Sequence, residues 1–327
     1  MKKLSRVLLA VVLCTFAIAA FAKQKPTSLV ISSGNSGGTY YYIAAGQSKI
    51  LNEKLKGINV TTESTSGSPV ENLTFCSEDP AVLGFTTLDG LFAAVNGDKS
   101  KGFRAGPVSN VALLQAGHTL ILYGVTKANS GINSIADLKG KKISVPTIGN
   151  TAYFQTIAIL KQYGIDPEKD LQAVPMLYAE AADALKDGSL DAIWIAGGIP
   201  QAAVTDLDTT QDIKFLTFEP EKAEEILKAY PYWGLYTIPA GTYKHMDKDT
   251  VIMTAIVTIA ANTDLDDDLV YDIAKTLNES VEDLTVIHQD GKNWNAQNTL
   301  NVIERGIVPV HPGAMRYYEE VKAKANK

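Results

Sequence analysis

The stretch Ser28-Leu-Val-Ile-Ser-Ser-Gly-Asn-Ser-Gly-Gly-Thr-Tyr-Tyr-Tyr42 decides the fold of this chain. An apolar run, a glycine-rich turn and an amphipathic stretch ending near Leu55 predict a strand, a turn and a helix in that order. Such a turn leaves backbone N–H groups free at a helix N-terminus, where an anionic group is favoured. It matches neither the spaced-glycine dinucleotide fingerprint nor the loop that ends in Gly-Lys-Ser/Thr. We therefore predict a site for a small carboxylate rather than for a nucleotide.

The alternation of strand and helix continues along the chain. Strands are predicted at 28–32, 58–64, 82–86, 111–115, 120–126, 141–146, 173–176, 190–195 and 251–261, and helices at 40–55, 70–76, 88–96, 134–140, 152–163, 180–186 and 266–284. This order predicts an α/β fold of mostly parallel sheets flanked by helices. About 305 residues follow the first 22, which is more than one core accommodates efficiently. We expect two lobes, one of residues 23–120 plus 256–327 and the other of residues 121–255, with the chain passing between them more than once.

The N-terminus has the pattern of an export signal. Lys2, Lys3 and Arg6 precede an uncharged run over 7–20, and Ala20-Phe-Ala22 supplies small residues for cleavage after Ala22. The alternatives are a buried N-terminal helix and a lipoprotein attached at Cys14. Removing residues 1–22 takes away three positive charges, so the net charge of −6 becomes −9. An acidic chain without basic runs is a poor candidate for binding nucleic acid, and we expect a periplasmic protein.

Four loops at strand ends are expected to converge in a cleft between the lobes, because ligands of open α/β sheets lie beyond the carboxyl ends of the strands. Hydroxyl and N–H groups in these loops can bind a carboxylate without a formal positive charge. Ordinary helix caps and turns are the alternative explanation of the same residues. The candidate ligand-binding residues are Gly37, Gly38, Thr39, Tyr40, Ser64, Thr65, Gly67, Ser68, Thr86, Asp89, Thr147, Asn150, Thr151, Ala152 and Gly197.

Signatures of catalysis are missing from the sequence. The four histidines form no His-x-x-x-His pair, and no cysteine pair or Gly-x-Ser-x-Gly motif is present. We therefore expect no catalytic residue, no metal site and no cofactor. Cys76 reads as a buried, inert thiol, Trp194 as a core residue, and 266–268 as the acidic start of a helix. Lys127 is a candidate accessory cation, with a surface position as the alternative.

Several segments together resemble the TAXI class of solute-binding proteins, which serve tripartite ATP-independent periplasmic (TRAP) transporters. They are Gly-Gly-Thr-Tyr-Tyr at 37–41, Ser-Thr-Ser-Gly-Ser-Pro-Val-Glu-Asn at 64–72, Leu-Gly-Phe at 83–85, 130–140, 180–188, Asp-Ala at 191–192, Tyr-Thr-Ile-Pro-Ala-Gly-Thr-Tyr at 236–243 and His-Pro-Gly-Ala at 311–314. The sequence departs from the family pattern at 86–89, where Thr-Thr-Leu-Asp replaces Gln-Ser-Asp, and at Lys127, where an arginine is common. The resemblance spans nearly the whole chain after residue 22.

The resemblance implies a two-lobed periplasmic-binding-protein fold of type II, with lobes joined by crossing strands. It further implies that the protein delivers a small organic acid, such as glutamate, glutamine or 2-oxoglutarate, to TRAP permease subunits in the membrane. The loops at 37–40, 64–68 and 147–152 would line the site. We expect a monomer without catalytic activity. The alternatives are a ligand-sensing protein that signals to a receptor and an enzyme on the same scaffold.

Overall fold

The computed structural model of this chain describes residues 23–325 except 35, 37 and 147–150. The predicted export signal, with Cys14, lies outside the described residues. The strands are β1 (Ser28–Ser32), β2 (Asn59–Glu63), β3 (Val82–Thr87), β4 (Val111–Lys127), β5 (Lys142–Val145), β6 (Gln172–Pro175), β7 (Ala192–Gly197), β8 (Ile213–Leu216), β9 (Trp233–Ile238) and β10 (Thr250–Asn262).

Helices alternate with these strands along most of the chain. They are α1 (Thr39–Lys54), α2 (Pro69–Glu78), α3 (Leu88–Asn96), α4 (Thr151–Gln162), α5 (Tyr178–Asp187), α6 (Ala202–Thr210), α7 (Pro220–Ala229), α8 (Asp267–Asn278), α9 (Val281–Ile287), α10 (Ala296–Ile303) and α11 (Pro312–Ala325). None of the helices in the described ranges is long and apolar enough to cross a membrane.

Two groups of three parallel strands flank a pair of long antiparallel strands. The order across the sheet is β2-β1-β3-β10-β4-β7-β5-β6. The pairs within β1–β3 and within β5–β7 are parallel, whereas β10 is antiparallel to β3 and β4, and β4 is antiparallel to β7. The predicted α/β fold with crossing strands is confirmed. The long strands run through residues 120–121 and 255–256, where the predicted lobes meet.

The prediction of two separate strands between residues 111 and 126 is wrong, because β4 is a single strand of 17 residues. The Gly-His-Thr sequence after Ala116 reads as a break. In the structure Ala116 pairs with Thr258 and Thr119 with Ile256, so β4 has one residue more than β10 over this interval. The extra residue forms a bulge, which bends the strand without ending it.

The single helix predicted over 266–284 is also wrong. Helix α8 ends at Asn278, and α9 begins after Ser280, which is 2% exposed and accepts a hydrogen bond from Lys54 Nζ at 2.8 Å. The start of α8 was predicted correctly, since the Asp266 side chain caps the helix by accepting from Leu269 N–H at 3.0 Å. The segment at 134–140 holds only a short 3₁₀ turn, Ala136–Leu138.

The apolar core is divided among three clusters of buried residues. One contains side chains from 29–114 and 257–318, and a second contains side chains from 121–252. The third and largest draws on both of these parts of the chain. Trp194 is 1% exposed and Cys76 is fully buried, as predicted, and burial raises the pKa of the Cys76 thiol to about 12. This thiol is therefore not a nucleophile at neutral pH.

Candidate functional site

A cavity of about 290 Å³, here called the central cavity, lies where the loops after several strands meet. Its described walls carry no formal charge and combine glycines, hydroxyl groups, aromatic rings and small apolar side chains. The lining residues are Gly34, Gly38, Thr39, Tyr40, Ser66, Gly67, Leu120, Thr151, Ala152, Tyr178 and Ala196. They come from both parallel groups of strands and from β4 between them.

Three helices begin at the central cavity. Helix α1 begins at Thr39, α4 at Thr151 and α5 at Tyr178, and each of these first residues lines the cavity. The residues that precede α1 and α5, Gly38 and Leu177, make no side-chain capping hydrogen bond. Uncapped N–H groups and the positive ends of three helix dipoles favour a negative charge in this space. The cavity is thus suited to an anion, although it contains no cationic side chain among its described lining.

The loops after β1 and β2 are tied together beneath the cavity. The Ser64 hydroxyl donates to Gly34 O at 3.0 Å, and the Thr65 hydroxyl lies 3.0 Å from Ser33 O and 2.9 Å from Asn72 Oδ1. The Asn72 amide also donates to Ser33 O at 2.7 Å and to Phe85 O at 2.8 Å. These bonds, of which those of Thr65 and Asn72 are buried, fix the position of the loop, so Ser64 and Thr65 support the cavity wall instead of forming it.

Gly67 completes this loop with a backbone that other residues rarely adopt. Its φ is +75°, and its N–H donates to the Thr65 hydroxyl at 3.1 Å. A left-handed conformation of this kind costs glycine little, whereas an L side chain is strained there. Gly67 therefore allows the chain to turn toward the start of α2 while its backbone lines the central cavity.

Two tyrosines, Tyr40 and Tyr178, line the central cavity. The Tyr40 ring packs against Phe85 and His118, with ring centroids 5.5 Å and 6.2 Å away. Burial, and secondly the negative charge of Asp89, raise the pKa of Tyr40 well above its usual value. Burial also raises the pKa of Tyr178. Both phenols are protonated at neutral pH, so both remain hydrogen-bond donors.

A second cavity of about 180 Å³, here called the side cavity, adjoins the first. Thr151 lines both of them. The walls of the side cavity come from the start of α2, from α3, from the 3₁₀ turn Lys99–Lys101 and from α4. Asp89 and Lys101 supply its two charged side chains, and the other walls are mainly apolar.

Most of the predicted site residues in the described ranges come together in these two cavities. The central cavity is lined by Gly38, Thr39, Tyr40, Gly67, Thr151 and Ala152, and the side cavity by Ser68, Asp89 and Thr151. Thr86 and Gly197 line neither one. Thr86 is buried with its hydroxyl toward Gly90, and Gly197 lies at the end of β7. Gly37, Thr147 and Asn150 lie outside the described residues.

The sequence did not single out several residues that line the cavities. Leu120, Tyr178 and Ala196 complete the central cavity, and Lys101 and Phe154 line the side cavity. Tyr178 could have been found, because it begins a helix directly after a strand. The sequence gives no reason to select Lys101 as a site residue. Lys99 lies two positions away in the same charged stretch, and only the fold distinguishes the two lysines.

The other cations considered from the sequence lie away from the cavities. Lys127 Nζ donates to Lys186 O at 3.0 Å at the surface. Arg305 donates to Trp233 O at 3.0 Å, Arg316 pairs with Asp268 at 2.8 Å, and Arg104 is exposed. In the part of the chain that the structure describes, no cluster of three or more His, Cys, Asp or Glu side chains could hold a metal ion.

Comparison with known proteins assigns the chain a family and a fold class. The profile of the NMT1-like family matches residues 31–321. A TctC solute binding protein from Polaromonas superposes with a TM-score of 0.52 at 14% identity, over 93% of this chain and 99% of that one. PhnD1 from Prochlorococcus marinus in complex with methylphosphonate gives a TM-score of 0.50 at 11% identity, over 86% and 98% of the two chains. XAC2383 from Xanthomonas citri bound to chloride ion gives 0.52 at 9% identity, over 90% and 100%. The chain therefore shares the overall fold of these three proteins.

Proposed function

Because this chain belongs to the NMT1-like family, we propose that it is an exported, non-catalytic solute-binding protein that captures a small organic acid and delivers it to a membrane transporter. The transporter is of the TRAP type and the protein of the TAXI class, as the sequence motifs imply. The ligand carries a carboxylate, with glutamate, glutamine and 2-oxoglutarate as the candidates. The protein acts in the periplasm after removal of residues 1–22.

One observation carries this proposal, the convergence of three helix N-termini on the central cavity. A carboxylate there would accept hydrogen bonds from backbone N–H groups and from hydroxyls such as that of Thr39. Residues 23–120 and 121–255 both contribute walls, so a ligand would contact both predicted lobes at once. Such a ligand stabilises the closed arrangement of the lobes by population shift.

Isothermal titration of the chain without residues 1–22 tests this proposal directly. The ligands are glutamate, glutamine, 2-oxoglutarate and acids with four carbons, and we expect at least one of them to bind. If none of these acids produces a heat of binding, the proposal that the ligand is a small organic acid is rejected. Mass spectrometry of any small molecule that is retained through purification identifies the ligand independently. Turnover of a bound acid would instead favour the enzyme alternative.

The substitution Thr39→Ala tests whether the start of α1 binds the carboxylate. Within the described residues the Thr39 hydroxyl makes no side-chain hydrogen bond, and it lines the central cavity. Loss of a charge-assisted hydrogen bond costs about 1.5–3 kcal/mol, which is roughly a tenfold or greater loss of affinity. We expect this loss by titration, with an unchanged melting temperature of the ligand-free protein.

Thr61→Ala is the matched control, because Thr61 is an exposed threonine on β2. We expect its affinity to equal that of the unsubstituted protein. If Thr39→Ala binds as tightly as Thr61→Ala, the start of α1 is only a helix terminus and the carboxylate lies elsewhere.

A further inference from the structure

The side cavity is a partly buried space beside the proposed ligand site. Thr151 lines both cavities, and Ser68 in the side cavity follows Gly67 in the central one. Pro69, Val70, Ala93, Phe103 and Phe154 make most of its wall apolar. Charged groups in such a wall lose hydration and interact strongly with whatever occupies the space.

Lys101 places an ammonium group in this wall. Its Nζ atom is buried and has no hydrogen-bond partner in the part of the chain that the structure describes. The nearest aromatic group that faces it is the Phe154 ring, with the centroid 5.8 Å from Nζ. A contact of this kind offsets only part of the cost of removing an ammonium from water. An anionic group in the side cavity would supply the missing partner.

Asp89 places a carboxylate in the same wall. Asp89 is 4% exposed, and both of its carboxylate oxygens lie 3.1 Å from a single donor, Gln155 Nε2. A carboxylate can accept about four hydrogen bonds, so this one retains capacity for a cationic donor. Among the described residues Asp89 forms no ion pair with Lys101 within 4.0 Å. Two opposite charges therefore line one small cavity without forming an ion pair with each other.

We propose that Lys101 and Asp89 together bind a zwitterionic group of the ligand, Lys101 its anionic part and Asp89 its ammonium. This inference rests on the proposed function and narrows it. A ligand with an amino-acid head group is neutral overall in this cavity and satisfies both side chains. The oxo acid of the same carbon skeleton has no ammonium, so Asp89 would keep only its hydrogen bond from Gln155 and would lie beside a carbonyl oxygen instead of a donor. The protein therefore selects amino acids over 2-oxo acids.

Titration with matched pairs of acids tests the selection. The pairs are glutamate with 2-oxoglutarate and aspartate with oxaloacetate. Glutamine is added as an amino acid that has only one carboxylate. We expect one amino acid to bind about tenfold or more tightly than its oxo partner, the effect of one charge-assisted hydrogen bond. Asp89→Asn keeps the shape of the side chain but removes its charge, and we expect this preference to disappear.

Lys101→Met should lose about tenfold or more in affinity for the amino acid, because the apolar substitute offers its anionic part no partner. Lys99→Met removes an exposed lysine from the same turn and should leave the affinity unchanged. Thermal melting of each variant confirms that it is folded.

Two results would overturn the inference while the proposed function stands: an oxo acid that binds as tightly as its amino acid, or Lys101→Met with unchanged affinity. No binding of any acid would overturn both.

Discussion

His118 is a buried histidine that stays neutral in the folded protein. It is 3% exposed, and its Nδ1 accepts a hydrogen bond from Trp294 Nε1 at 3.1 Å. Burial, and secondly the charge of His288, lower the pKa of His118 to about 3. The ordinary histidine value is about 6.5. Above pH 6.5, His118 is neutral in both the folded and the unfolded protein, so its protonation takes nothing from the free energy of unfolding.

As the pH falls below about 6.5, the unfolded chain binds a proton at His118 that the folded chain does not. We expect the free energy of unfolding to fall by up to about 1.4 kcal/mol per pH unit from this group, until the pH reaches the folded pKa. Urea denaturation of the protein and of His118→Gln between pH 7 and pH 4 measures it. The variant should lose stability less steeply. Equal slopes, or His118 ring proton resonances that titrate near pH 6.5, would contradict the assignment.

Among single residues, the glycines and hydroxyl residues that line the cavities could be predicted from the sequence more readily than the buried lysine. Gly38, Thr39 and Thr151 could be named because glycines and hydroxyls after a strand have few roles other than turns, caps and ligand contacts. Lys101 could not, because its burial depends on how α4 places Phe154 against it, and that packing is set by tertiary structure.

Gly117 in strand β4 lies where a side chain would collide with a neighbouring ring. A Cβ at Gly117 would overlap the indole ring of Trp294, which is fully buried. The same ring donates to His118, so it cannot move away without losing that bond. We expect Gly117→Ala to destabilise the protein by about 1–3 kcal/mol or more, the cost of overpacking a core.

Gly198→Ala is the matched control, since a Cβ at Gly198 meets nothing within 4 Å and its backbone is not left-handed. Its free energy of unfolding should change little. Chemical denaturation of both variants measures the difference. A Gly117→Ala variant as stable as Gly198→Ala would show that the indole ring and the bulge adjust freely.

At the scale of elements, short strands and helices with a clear period could be predicted, and β1 and α3 have the predicted bounds. The continuity of β4 could not, because a bulge opposite β10 lets a glycine lie inside a strand. Between α8 and α9, Ser280 accepts a hydrogen bond from Lys54, and this contact joins residues 226 positions apart. A sequence pattern carries no record of such a contact.

At the scale of the whole molecule, the alternation of elements predicted two α/β units joined by crossing strands, and the order of strands in the sheet confirms this topology. The sizes of the cavities and their shared wall at Thr151 could not be predicted, since they depend on how closely the two groups of parallel strands approach each other. The boundaries of the two lobes remain a proposal, and their relative motion can be tested at one contact.

Gln155 provides that contact, because it lies on α4 in the proposed second lobe and donates to Asp89 in the first, with 3.1 Å to each carboxylate oxygen. Gln155→Ala leaves a buried carboxylate without this donor. A hydrogen bond to a charged group is worth about 1.5–3 kcal/mol, so its loss shifts the equilibrium between closed and open lobes by roughly tenfold or more.

Small-angle X-ray scattering of the ligand-free Gln155→Ala variant should show a larger radius of gyration than that of the unsubstituted protein. A saturating ligand should restore the smaller value. Gln162→Ala is the control, because the Gln162 side chain on the same helix donates to the Tyr230 hydroxyl at 3.5 Å, within the same proposed lobe. Identical scattering from Gln155→Ala and Gln162→Ala would mean that the hydrogen bond between Gln155 and Asp89 does not hold the lobes together.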